Sequence, residues 1–94
     1  MRRAAKVDAN HGEIVRVLRG AGAKTLSLAR LGSGTPDLLI NYAGRLHLVE
    51  IKGRTGRLRA SQRKFQEEFG HVYVVRSTHE AISLLTQLRI EAAG

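Results

Sequence analysis

The stretch TPDLLINYAGRLHLVEIKG, residues 35–53, decides how this chain folds. Residues 37–42 and 46–51 are rich in leucine, isoleucine and valine, and Ala43, Gly44 and Arg45 between them are turn formers. The pattern predicts a β-hairpin of two central strands. Strand side chains alternate between faces, which puts Glu50 and Lys52 on one side and Val49 and Ile51 on the other. Asp37 opens the first arm, and a suitable hairpin register brings its carboxylate towards Glu50; the register itself stays open at this level.

Two neighbouring carboxylates repel unless a proton or a cation lies between them, and near neutral pH a divalent metal is the usual solution. Magnesium fits best, because it takes oxygen ligands and is commonly held by only one or two carboxylates plus water and phosphate. Asp37 and Glu50 supply the carboxylates, and the backbone carbonyl of Ile51 is a further candidate ligand. Such a metal polarises a phosphate and activates a water, while Lys52 orients that water or offsets the charge that develops. A lone E-x-K on a strand is more often a surface charge pair. Here it follows Gly34-Thr35-Pro36-Asp37 and sits in apolar strands, which favours hydrolysis of a phosphodiester.

Outward from the hairpin, residues 10–19 carry Ile14, Val15, Val17 and Leu18 at helical spacing, and Gly20 and Gly22 end that helix. Residues 24–29 alternate Leu26 and Leu28 with polar neighbours as a half-buried strand does. RLGSGTP, residues 30–36, reads as a mobile, turn-rich loop. After the hairpin a basic loop, GRTGRLRA, leads to Ser61, the expected cap of a helix over 62–69 that buries Phe65 and Phe69. HVYVVR, residues 71–76, suits another strand, and Ser77 with Glu80 forms a capping box for a last helix reaching about Glu91. The order is αβββαβα.

Ninety-four residues fit one domain, 1–94, with a modest core. Cysteine is absent, which excludes disulfides and thiolate metal sites. The formal charge of +8 on so small a surface attracts polyanions, nucleic acid above all, and the scarcity of aromatic residues makes phosphate contacts the dominant kind. Arg54, Arg57, Arg59, Arg63 and Lys64 cluster after the catalytic strand as candidate DNA contacts, although part of that cluster also suits plain solvated surface. If they bind, affinity falls steeply with salt. The four histidines lack zinc-site spacing and receive no role; His11 is the best placed to approach a substrate. MRRAAKVDAN is basic but no apolar stretch follows it, so a soluble intracellular protein without a membrane span is expected.

These residues resemble a known family. Pro36-Asp37 followed by Glu50-Ile51-Lys52 looks like the PD-(D/E)XK nuclease superfamily. Nearly the whole chain is similar to its VRR-NUC branch in the stand-alone form found in phages and prophages. The most specific pieces are VDANHGEIVRVLRGAGA, GTPDLLI, VEIKG and Gln62 near the head of the next helix. The resemblance implies a restriction-endonuclease-like α/β fold, with a four-stranded mixed sheet flanked by helices. It also implies Mg²⁺-dependent, structure-selective DNA cleavage, with Mn²⁺ as a substitute. Holliday junctions or other branched DNA are the implied substrate, a homodimer the implied active unit, and the bacterial cytoplasm the implied setting. It places Gln62 beside the Lys52 ammonium and the attacking water, where the bland alternative is an ordinary first-turn polar residue. It matches Glu13 to the acidic residue that supports the metal from the first helix; Asn10 and Glu13 also have the spacing of a simple capping box. Asp8 belongs to the resembling segment without an assigned role. Phe65 and Phe69 stand where the family often has tryptophan. A DNA-binding module of the same fold without cleavage activity is the alternative, and a basic accessory protein leaves the acidic pair inside the strands unexplained.

Overall fold

The computed structural model describes residues 9–94, so Asp8 lies outside the described residues. The elements are α1 (Ala9–Gly20), β1 (Lys24–Ser27), a 3₁₀ turn (Ala29–Leu31), β2 (Leu38–Tyr42), β3 (Arg45–Ile51), α2 (Ala60–Phe69), β4 (Tyr73–Val75) and α3 (Thr78–Ala93). The expected αβββαβα order is found. The strands form one sheet in the order β1-β2-β3-β4, so the hairpin arms are central as expected. β1, β2 and β3 pair antiparallel, whereas β4 joins β3 in parallel after the α2 crossover.

The hairpin turn is one residue shorter than its sequence suggests. Tyr42 pairs with Arg45, leaving only Ala43 and Gly44 in the turn, both at positive φ (52° and 80°). Two positive φ values in a two-residue loop define the type I′ class, whose twist matches that of the strands. Alanine pays a steric penalty there that asparagine largely escapes. Ala43→Asn is therefore expected to stabilise the domain by about 1 kcal/mol, read as a higher urea midpoint at unchanged slope; an unchanged midpoint would show the turn to be unstrained.

Leu38, Ile40, Val49, Ile51 and Val75 are buried in one core cluster with Ile14 and Leu18 of α1 and Ala81, Leu84, Leu85 and Leu88 of α3. This face of the sheet is closed by two helices. The opposite face carries the cross-strand row Leu26, Leu39 and Leu48, then Glu50 further along β3, and among the described residues only α2 covers it. Two burial expectations fail for that reason. Leu26 is 58% exposed and Phe69 69% exposed, because α2 sits over the Glu50 end of the sheet and leaves the β1 side open. Phe65 is half-buried and stacks on Phe69 with ring centroids 4.6 Å apart.

Capping also departs from expectation. Helix α2 starts at Ala60 with Arg59 as its N-cap residue, so Ser61 lies inside the helix; Gln62 instead accepts the Arg59 backbone N–H through Oε1 at 2.8 Å. Ser77 caps α3 by accepting the Glu80 N–H at 3.0 Å, while the Glu80 carboxylate accepts from the Arg76 backbone rather than from Ser77. Among the described residues no helix is long and apolar enough to cross a membrane.

Candidate active site

The two-residue turn fixes the register that the sequence left open. Leu38 pairs with Val49, so one step further along the same ladder Asp37 stands opposite Glu50. Directly opposed residues in an antiparallel pair share a face and are close neighbours. Asp37 is held on both sides: its Oδ2 accepts the Ile51 N–H at 2.7 Å, and its backbone carbonyl accepts the Leu28 N–H at 2.8 Å.

Glu50 and Gln62 are the buried polar side chains among the described residues, and they touch. Gln62 Nε2 donates to Glu50 Oε2 at 2.8 Å, and Lys52 Nζ lies 3.4 Å from the same oxygen. The amide of Gln62 thus works at both ends, closing the α2 N-terminus through Oε1 and orienting the acid through Nε2. Burial pushes the Glu50 carboxyl above its ordinary range, and the Asp37 charge adds to the rise; Lys52 and Gln62 offset only part of it.

Asp37, Glu50, Ile51, Lys52, Arg59 and Gln62 line one open cleft of about 480 Å³, together with His11 and the loop around Gly34. The structure does not bring Glu13 to them. At about 3.6 residues per turn, Asn10, Ile14 and Leu18 mark the inward stripe of α1. His11 and Glu13 flank that stripe on opposite sides, and the cleft lies on the His11 side. Glu13 is exposed and absent from the cleft lining. The Asn10–Glu13 capping box is not formed either, since Asn10 lies within α1 and its Nδ2 donates to the carbonyls of Lys52 (3.4 Å) and Arg76 (3.3 Å). That tether and the placement of Arg76 had no sequence signal, because both join residues far apart in the chain. Arg54, Arg57, Arg59, Arg63 and Lys64 are all exposed; Arg59 borders the cleft, and Lys64 borders a separate groove beside Phe65 and Phe69.

Whether these groups suit a divalent cation can be judged from their own bonding. Among the described residues, Asp37 Oδ1 and Glu50 Oε1 have no hydrogen-bond donor. No cluster of three or more His, Cys, Asp or Glu side chains suited to a metal occurs among the described residues. A pair of neighbouring acids in an open cleft fits a hard cation that keeps much of its water shell.

No curated protein and no solved structure matches the chain. A family model does: the VRR-NUC domain matches residues 3–78, a span containing Asp37, Glu50, Lys52 and Gln62. VRR-NUC domains are nucleases, and nucleases of their superfamily typically use a divalent metal. With most of its length matched and an acidic pair, a lysine and a glutamine meeting in one cleft, the chain belongs to the VRR-NUC family of the PD-(D/E)XK nuclease superfamily.

Proposed function

We propose that this domain is a magnesium-dependent endonuclease that hydrolyses phosphodiester bonds in branched DNA, Holliday junctions among them. The observation that carries the reading is the meeting of Asp37, Glu50 and Lys52 in a cleft whose buried acid is already oriented by Gln62. Asp37, Glu50 and the Ile51 carbonyl would hold the cation. When bound, it supplies Lewis-acid polarisation of the phosphate and a more acidic water.

The protein's own groups do the rest. Lys52, a compact cation fixed against Glu50, donates to the attacking water or to a non-bridging phosphate oxygen as negative charge grows there. The water releases a proton to solvent as its oxygen forms a bond to phosphorus, the bond to the leaving sugar oxygen breaks, and that oxygen takes up a proton from solvent. Gln62 keeps the Glu50 carboxylate from rotating away. Arg54, Arg57 and Arg59 lie on the loop between Lys52 and α2, where they track the phosphate backbone past the cleft. Glu13, exposed on α1, stays outside this set.

A homodimer is part of the proposal, acting in the cytoplasm of a bacterium that carries the gene on a phage or prophage. Support for the dimer comes from the small core and from Leu26, Leu46 and Phe69, which are exposed on the thinly covered sheet face. Sedimentation velocity at micromolar protein tests it, and a single species of monomer mass would rule it out.

Incubating the protein with labelled four-way junction, flap and linear duplex DNA tests the activity. Junction and flap should be cut in Mg²⁺ or Mn²⁺ and left intact with chelator, with linear duplex cut least. Binding without cleavage of any of the three would instead identify a DNA-binding module, and cleavage that survives chelation would remove the metal from the reading.

A further inference from the structure

The loop from Gly53 to Arg59 is anchored at both ends on one atom. Lys52 at its start and Gln62 just beyond its end both contact Glu50 Oε2. Its first turn folds back on the chain, with the Gly56 N–H donating to the Gly53 carbonyl at 3.2 Å. That turn runs alongside the aliphatic stem of Lys52: a Cβ added at Gly56 would come into van der Waals contact with it, 3.5 Å from Lys52 Cδ and 3.6 Å from Lys52 Cβ. The turn thus borders one side of the lysine stem.

The turn is held by a residue that follows another strand. Arg76, just past the end of β4, donates from Nη1 to the carbonyls of Gly53 (2.8 Å) and Gly56 (2.6 Å). Its own carbonyl accepts from Asn10, whose amide also reaches the Lys52 carbonyl, and its backbone N–H is fixed by Glu80. Next to it Val75 accepts the Lys52 N–H at 3.1 Å. A guanidinium bound to two carbonyls makes strong charge-assisted bonds. Those two bonds commit the Nη1 donors to the loop, so they are not spare for DNA phosphate.

We propose that Arg76 is a positioning residue for Lys52: by clamping the Gly53–Gly56 turn against the lysine stem, it holds the ammonium in place beside Glu50. The inference rests on the nuclease reading for its kinetic consequence but not for its geometric one. Small displacements of a reacting group cost rate rather than affinity, up to about a hundredfold for about 1 Å.

The test compares wild type with Arg76→Met and Arg76→Lys in single-turnover cleavage of junction DNA at saturating enzyme, with DNA affinity measured separately in chelator. Arg76→Met should lower the maximal rate by about ten- to a hundredfold while leaving Kd within about twofold; Arg76→Lys, whose ammonium also has donors for two carbonyls, should recover most of the rate. An unchanged rate, or a loss confined to Kd, would overturn the proposal. Carbon-13 NMR of the lysine ε-methylenes reads the same placement without any substrate. The Lys52 signal, assigned through Lys52→Arg, should sharpen and move towards the free-lysine position in Arg76→Met, and an unmoved signal overturns the proposal as well. Wild-type protein that cuts no DNA yet shows the NMR change would refute the nuclease reading alone. Should Arg76→Met fail to fold, Arg76→Lys carries the NMR test: its Lys52 signal should stay near the wild-type position, and a signal at the free-lysine position refutes the clamp.

Discussion

In chelator at pH 7.5, Glu50→Gln protein is expected to melt at a higher temperature than wild type, and in magnesium it is expected to lose the proposed DNA cleavage. Both halves follow from one placement. Glu50 is buried and faces the Asp37 carboxylate, so its ionised form is unfavourable in the folded chain and its pKa lies above the ordinary value of 4.5. A raised carboxylate pKa means that the folded state binds the proton more tightly than the unfolded one. Stability from this group is therefore full below about the unfolded pKa and is lost as pH rises through the folded one. Glutamine removes that cost and still accepts from Gln62.

The melting advantage of the variant should accordingly be small at pH 4.5 and grow towards pH 7.5. In a domain of this size each kcal/mol is worth about 4–8 °C. Adding Mg²⁺ should close the gap from the other side, because a ligand that binds only the folded state stabilises wild type by about 2.7 kcal/mol at a hundred times its Kd. The variant, short of one proposed ligand, should gain less. Its cleavage rate should fall at least about 10²–10³-fold with junction affinity in chelator retained. Differential scanning fluorimetry across pH with and without magnesium measures the first effect, and gel assays the second. A variant that melts lower than wild type at pH 7.5 in chelator would mean that the lost Lys52–Glu50 contact outweighs the relief of the buried charge.

The second large effect is expected at Gly34. Its φ is +80°, and a Cβ there would lie 2.2 Å from the Ser61 carbonyl oxygen, 2.6 Å from the Ser61 carbonyl carbon and 3.1 Å from the Gln62 nitrogen. All three are backbone atoms of the first turn of α2, so no rotamer change relieves the overlap. Either the loop lifts away or the helix end shifts, and Gln62 moves with it. Strain at positive φ contributes about 1–2 kcal/mol and overpacking about 1–3 kcal/mol, so Gly34→Ala should destabilise the fold by about 2–5 kcal/mol in total.

Gly44→Ala is the matched control. Gly44 has the same φ of +80° but nothing within 4 Å of the added Cβ, so it pays the strain alone. Chemical denaturation of the two variants separates steric cost from strain. Equal losses would show that the Gly34 loop yields without resistance. Because Gly34 lines the cleft and backs onto the turn that carries Gln62, its variant should also lose cleavage activity at temperatures where it remains folded.

The element order and the pairing of Glu50 with Lys52 were legible in the sequence because both depend on local backbone periodicity. Alternation along β3 places those two side chains on one face whatever surrounds the strand. Asp37 was legible as a candidate, yet its position opposite Glu50 needed the turn length, and one residue more or less would have sent it to the other face. Gln62 was found by resemblance, while its two hydrogen bonds, one donated to Glu50 and one accepted from the Arg59 N–H, depend on where α2 docks.

Leu26 and Phe69 show the limit most directly. Both sit in apolar patterns that forecast burial, and both are exposed, since a pattern marks an apolar face without saying whether anything covers it. The sequence by itself determined the order of helices and strands, the hairpin and the acid–lysine pair, all set by neighbours a few residues apart. Only the tertiary structure decided the register of Asp37, the turning of Glu13 away from the cleft and the Arg76 clamp on the lysine loop. Those depend on contacts between segments distant in the chain, whose geometry is fixed by packing rather than by local preference.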